Sequence, residues 1–136
     1  MSSNLIEIKS GKTLIALIIL SNFKAKLHQF LTPKNNPLQL GVLSYPKNSI
    51  VKPHQHKKLT KTTHQNQEFI YLKSGQIQVT FFYQGSTLVK HILNPGDCLL
   101  QISGGHGFKF LKKSKIITIK QGPYLGSSCE KSIIDV

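Results

Sequence analysis

The sequence predicts an all-β domain, folded as a sandwich or a barrel. At least eight short extended segments follow one another, separated by turn residues. No stretch keeps an apolar period of 3.6 residues long enough to predict a helix. The clearest period is two, in residues 76–83, where Ile77, Val79 and Phe81 share one face of a strand. Many short strands at this spacing are typical of β-sandwiches and β-barrels.

The first half of the chain contains four extended segments and one segment of ambiguous pattern. Residues 4–8 alternate between apolar and polar, and residues 13–20 form a continuous apolar run that predicts a buried strand. Residues 23–31 fit either a strand or a short helix, because their apolar positions match neither period well. After a loop rich in proline and asparagine, strands are predicted over residues 38–45 and 50–56.

The second half has stronger turn signals between its strands. Gly75 ends the strand that begins at Glu68, and the Asn-Pro-Gly-Asp sequence at residues 94–97 predicts a tight turn. We expect the Asp97 carboxylate to accept hydrogen bonds from local backbone amides in that turn. The tail from residue 121 onward predicts irregular structure. The strands predicted here are residues 68–72, 76–83, 87–93, 98–102, 106–111 and 116–120.

The charge of the chain is strongly positive. It has eighteen lysines, no arginine and five acidic residues, for a formal net charge of +13 over 136 residues. Such a charge attracts anions, but the lysines are spread along the chain and no nucleic-acid-binding motif is present. Arginine, the usual bidentate reader of phosphate and guanine, is absent. We therefore expect small anionic molecules as ligands, and no nucleic acid.

The longest apolar run, residues 13–20, is too short to span a bilayer, and no signal-peptide pattern surrounds it. This predicts a cytoplasmic protein with no membrane partner. Cys98 and Cys129 lie far apart and form no metal-ligand spacing, so they are interpreted as incidental thiols.

The acidic residues are more informative than the lysines. Only Glu68 and Asp97 occur between residues 8 and 129. Glu68 shares a predicted strand face with Ile70 and Leu72, where burying a carboxylate is costly unless a positive group pairs with it. That partner is either a bound cation or a lysine side chain.

A pair of histidines provides a second candidate for ion binding. His54 and His56 are two residues apart, so on an extended strand their imidazoles point to the same side and can converge on one ion. The alternative is that both are exposed loop residues beside Lys57 and Lys58.

These residues fall into a combination that resembles a known family. The sequence PHQH at residues 53–56, Glu68 followed by Gly75, Gly96-Asp97, and Gly104-Gly105-His106 look like the two motifs of the cupin superfamily, whose fold is a double-stranded β-helix. The resemblance implies a single cupin domain over residues 1–136, with its motifs within residues 38–120. The sequences GGHGF and KQGPY are further similar to a group of small bacterial cupins, some of which accompany surface-polysaccharide genes.

The resemblance implies a site for one divalent transition metal, such as Zn, Fe, Ni or Mn. Imidazole and carboxylate ligands together suit these ions. The implied ligands are His54, His56, Glu68 and His106. His64 stands four residues before Glu68, where the family's second histidine normally falls, so the sequence leaves open whether His56, His64 or both complete the site.

For function, the resemblance implies binding of a small organic ligand, either anionic or neutral, such as a sugar derivative. If the chain is an enzyme, a metal-dependent isomerase and a metal-dependent oxygenase both fit, with Glu68 or His64 as the nearest acid or base. The alternative is a non-catalytic binding or sensing module in which the metal only anchors the ligand. A homodimer is expected in either case.

Overall fold

A computed structural model describes residues 4–135 of the chain. These residues form ten β-strands in three antiparallel sheets, with one helix of four residues, and the prediction of an all-β fold is confirmed. The elements are β1 (Leu5–Ser10), β2 (Thr13–Ile19), β3 (His28–Phe30), β4 (Gly41–Leu43), β5 (Glu68–Ser74), β6 (Ile77–Tyr83), β7 (Ser86–Leu93), β8 (Cys98–Gln101), β9 (Gly105–Phe110), β10 (Lys115–Lys120) and α1 (Ser127–Glu130).

The described chain divides into two compact units. The larger unit contains residues 4–23 and 65–135. It holds a five-stranded sheet in the order β1-β2-β8-β5-β10 and a three-stranded sheet in the order β7-β6-β9. The smaller unit contains residues 24–64, and its regular structure is the antiparallel pair of β3 and β4.

The core of the larger unit lies on the inner faces of its two sheets. The alternation predicted for residues 76–83 is confirmed, because Ile77, Val79 and Phe81 of β6 are fully buried. On the five-stranded sheet, Ile70 and Leu72 of β5 are buried in the same cluster. Burial of each such side chain stabilises the fold by about 1.5–3 kcal/mol. This packing fixes the face of β5 on which Glu68 lies.

Two turns show how local sequence sets the strand ends. Gly75, after β5, has a φ of +95°, and a Cβ there would collide with Ser114. Asp97 accepts hydrogen bonds from the backbone amides of Asn94 and Ser21, both at 2.8 Å. The predicted turn role of Asp97 is therefore confirmed, and its second bond also ties the turn to the end of β2.

The strand predicted over residues 50–56 is wrong for the described structure. These residues belong to no strand, and every side chain in the segment is exposed. A strand exists only where its backbone amides and carbonyls find a neighbouring strand, and Pro53 has no amide proton to offer. In the part of the chain that the structure describes, no helix is long and apolar enough to cross a membrane.

Candidate functional site

Three strands of the larger unit contribute the central side chains of the site. Glu68 begins β5, Gln101 ends β8, and the two residues face each other directly across the antiparallel pair. Residues opposite each other in this way project from the same face of a sheet, here the face that carries the buried Ile70. His106, the second residue of β9, comes from the three-stranded sheet. The two sheets thus each supply part of one cluster.

The structure brings together two of the five predicted site residues, Glu68 and His106. Nε2 of His106 lies 3.5 Å from Oε1 of Glu68, and each side chain is only about one-fifth exposed, at 21% and 20%. The alternation of residues 68–72 predicted that Glu68 lies on the inner face of its strand. The short distance between Glu68 and His106, in contrast, depends on how the two sheets pack.

The Gln101 carboxamide fixes which nitrogen of His106 carries a proton. Nε2 of Gln101 donates a hydrogen bond to the Ser103 carbonyl oxygen at 2.6 Å, which leaves Oε1 of Gln101 as an acceptor. Nδ1 of His106 lies 3.0 Å from that oxygen and must therefore be the protonated nitrogen that donates to it. In a neutral ring, Nε2 then presents its lone pair to Glu68. Since two electron-rich atoms repel each other, a cation or a second proton is required between them.

The Glu68 carboxylate is held in its charged form by its other neighbours. Thr118 Oγ1 donates a hydrogen bond to Oε2 at 2.7 Å, and Nζ of Lys120 lies 3.8 Å from the same oxygen. Burial alone would raise the pKa of Glu68. The hydrogen bond from Thr118, the charge of Lys120 and, when its Nε2 carries a second proton, the hydrogen bond from His106 outweigh burial and lower the pKa to about 2. Glu68 is therefore an ionised carboxylate at neutral pH.

Glu68, Gln101 and His106 line a cavity of about 590 Å³. Such a volume matches the pockets that hold small organic ligands. Glu68, Gln101 and Lys120 supply polar groups to its wall, while Phe108 and Tyr124 supply aromatic rings. The wall is completed by other residues of the larger unit, which include Asn66, Gln67, Phe82, Gln121, Glu130, Lys131, Ile133 and Ile134.

The glycines before His106 allow the backbone of the site to approach its neighbours closely. Gly104 has a φ of +65°, and a Cβ there would lie 2.5 Å from the Phe82 carbonyl oxygen. Positive φ is accessible to glycine at little cost. A side chain at this position would push β9 away from β6 and carry His106 with it.

The other three predicted residues, His54, His56 and His64, belong to the smaller unit and are exposed. The rings of His54 and His56 lie 5.5 Å apart between centroids. Nδ1 of His54 lies 2.8 Å from the Lys52 carbonyl oxygen and so donates to it, which leaves Nε2 free to accept. Among residues 4–135, no three His, Cys, Asp or Glu side chains form a group that could hold a metal ion.

The donors at Glu68 and His106 nevertheless fit a transition metal. Two ligand atoms about 2.1 Å from a tetrahedral zinc ion stand about 3.4 Å apart, and the Nε2 to Oε1 separation is 3.5 Å. A metal-binding histidine typically donates a hydrogen bond from its other ring nitrogen, as Nδ1 of His106 does to Gln101. The chain matches no protein-family model, no curated protein and no solved structure.

Proposed function

We propose that this chain is a metal-binding cupin, whose larger unit is a double-stranded β-helix that holds a small organic ligand. The observation that carries this proposal is the orientation of His106, whose Nε2 is directed at the ionised Glu68 by the fixed carboxamide of Gln101. This pair lines a cavity large enough for a sugar-sized molecule.

The proposed metal is one divalent transition ion, with Zn, Fe, Ni and Mn as the candidates. The proposed ligands are Glu68 and His106, together with His54 and with His56, His64 or both. A bound ion of this kind acts as a Lewis acid or activates oxygen. The charge of Glu68 offsets part of the charge of the ion, and Gln101 keeps His106 in the tautomer that binds through Nε2.

The proposed ligand is a small, anionic organic molecule such as a sugar derivative. Lys120 and Lys131 place positive charge on the cavity wall beside the carboxylates of Glu68 and Glu130, and Phe108 and Tyr124 offer flat apolar surfaces for a sugar ring. Both features support binding of a molecule with an anionic group and an apolar face.

The low pKa of Glu68 argues against this carboxylate as a general base, and it leaves a metal-dependent isomerase or oxygenase with another base, and the non-catalytic binding or sensing module, as the alternatives. An efficient general base has a pKa near the working pH, whereas the neighbours of Glu68 lower its pKa to about 2. Such a carboxylate is a poor proton acceptor at neutral pH and a good metal ligand. A binding or sensing module needs only the second property.

Elemental analysis of untagged protein tests the proposal. We expect close to one transition metal per chain in the wild type and a large loss in Glu68→Gln and in a His54→Ala/His106→Ala double variant. His28→Ala is the matched control, since His28 is an exposed histidine outside the proposed ligand set. Equal metal in all four proteins, or none in the wild type after supplementation with each candidate ion, would contradict the metal site.

A further inference from the structure

Residues 121–134 form one wall of the cavity and run from one sheet of the larger unit to the other. The segment directly follows β10 of the five-stranded sheet. At its far end, Cδ1 of Ile134 lies against Gly105, the first residue of β9 in the three-stranded sheet. Several residues of the segment line the same cavity as Glu68 and His106. The segment therefore spans the two sheets beside the proposed metal ligands.

Side-chain contacts hold this segment in place. Its regular structure is the short helix α1, and no described strand includes any of its residues. The Glu130 carboxylate accepts hydrogen bonds from Nδ2 of Asn66 at 2.6 Å and from the Leu125 amide at 3.1 Å. The Gln67 amide donates to Oε1 of Gln121 at 2.8 Å. Since no described strand pairs with the segment, it can open locally at a lower free-energy cost than the sheets.

Gly105 provides a socket for Ile134. A Cβ at Gly105 would collide with Cδ1 of Ile134, whereas Cβ of Phe82 would lie 3.7 Å away, at ordinary contact distance. The absence of a side chain at residue 105 thus lets Ile134 pack there. Gly105 pairs with Phe82, and His106 pairs with the buried Phe81. Because successive strand residues point to opposite faces, Ile134 fastens the segment to β9 on the face away from His106.

Ile134 is also the main apolar anchor of the segment. Tyr124, Leu125 and Ile133 are 65%, 70% and 91% exposed, whereas Ile134 is half-buried. The free energy gained by packing rises with the apolar area that is buried, so the three exposed side chains contribute little. Loss of the Ile134 contact should release the segment while the two sheets stay folded.

We infer that residues 121–134 are a strap that opens to admit a ligand to the cavity and closes over it, with Ile134 in the Gly105 socket as its latch. A cavity that buries most of its ligand needs a movable wall for entry and release. The other walls are built mainly on β5, β6, β8, β9 and β10, whose backbones are fixed by strand pairing. The inference rests on the proposed function only for the nature of the ligand that the strap admits.

Hydrogen exchange and chemical modification of His106 test the strap in protein that a chelator has freed of metal. In Ile134→Ser we expect the strap amides to exchange, and diethyl pyrocarbonate to modify His106, about 5- to 30-fold faster than in the wild type. Exchange in β6 and modification of the exposed His28 should not change. Leu125→Ser is the matched control, because it also removes an apolar side chain from the strap, at a position outside the cavity wall.

Three outcomes of this experiment would overturn the strap. The first is an equal rate of His106 modification in the wild type, Ile134→Ser and Leu125→Ser. The second is faster exchange of the strap amides in Ile134→Ser without faster modification of His106. The third is an equal acceleration of exchange in β6, which would mean that Ile134 stabilises the whole unit and does not act as a latch.

A double-mutant cycle tests the socket. Gly105→Ala places a methyl group where Cδ1 of Ile134 lies, so we expect it to accelerate His106 modification as Ile134→Ser does. In Ile134→Ala the colliding atom is absent, so the further substitution Gly105→Ala should change the rate less than about twofold. Additive effects of the two substitutions would show that Ile134 does not occupy this socket.

Zinc kinetics separate the strap from the proposed metal site. Uptake of zinc by metal-free protein and its release to a chromophoric chelator give two rates. A strap that supplies no ligand should raise both rates by the same factor in Ile134→Ser and leave zinc affinity unchanged. Weaker affinity with unchanged uptake would overturn the strap. Failure of the wild type to bind zinc or any other candidate ion would contradict the proposed function, and the exchange and modification rates would still decide the strap.

Discussion

Gln101 orients His106 through a single hydrogen bond of 3.0 Å, and the orientation of Gln101 is itself set by the Ser103 carbonyl oxygen. The order of these contacts matters. The carbonyl can only accept, so it selects the amide nitrogen of Gln101, and the remaining amide oxygen selects the protonated Nδ1 of His106. A backbone atom of the turn after β8 therefore determines which nitrogen of His106 faces Glu68.

The first prediction concerns the removal of this acceptor. In Gln101→Leu, His106 loses the partner that holds the proton on Nδ1, so we expect metal affinity to fall about 10- to 100-fold. Nitrogen chemical shifts of His106 in metal-free protein report the tautomer directly, and they should move toward a mixture of both forms. Gln78→Leu is the control, since Gln78 lies in β6, outside the cavity wall. Unchanged tautomer and affinity in Gln101→Leu would contradict the role of Gln101.

The second prediction concerns pH. Folding lowers the pKa of Glu68 from 4.5 to about 2, so the charged form is favoured in the folded protein and contributes stability above pH 4.5. This contribution is lost as the pH falls from 4.5 to 2. Urea unfolding should show Glu68→Gln less stable than the wild type by roughly 1–3 kcal/mol at pH 7, with the difference shrinking toward pH 2. A difference that does not change with pH would show that the charge of Glu68 is not responsible.

Much of the fold could be predicted because it depends on local pattern. The alternation of β6, the strand break at Gly75 and the turn at Asp97 each follow from a few neighbouring residues, and each is confirmed. The inner-face position of Glu68 also followed from its parity with Ile70.

The rest of the site depends on distant parts of the chain. Thr118 and Lys120 reach Glu68 because β10 pairs with β5 in one particular register, and Gln101 lies opposite Glu68 because β8 pairs with β5 on its other side. No local pattern encodes these registers. Residues 50–56 show the converse case. Their sequence has the pattern of an extended strand, but the structure has no strand there, because a strand also needs a neighbouring strand, which the sequence alone does not identify.

The third prediction concerns Gly104. Alanine at this position combines a positive φ with a contact to the Phe82 carbonyl oxygen at 2.5 Å, so we expect Gly104→Ala to lower the free energy of unfolding by about 2–4 kcal/mol. Gly85→Ala separates the two effects, since Gly85 has a φ of +79° and a Cβ there would meet open space. That variant should lose only about 1–2 kcal/mol. Equal losses in chemical denaturation would mean that the close approach of β9 to β6 adds nothing beyond backbone strain.

The fourth prediction concerns Asp97, whose two carboxylate oxygens accept from separate backbone amides. Asp97→Ala removes both acceptors and leaves the amides of Ser21 and Asn94 without a side-chain partner, so we expect a loss of about 2–4 kcal/mol in unfolding free energy. Asp97→Asn retains one acceptor oxygen and should lose about half as much. Hydrogen exchange adds a local measurement, because the amides of Ser21 and Asn94 should both exchange faster in Asp97→Ala. Protection that persists at both amides would show that other groups, not the Asp97 carboxylate, hold this turn to the end of β2.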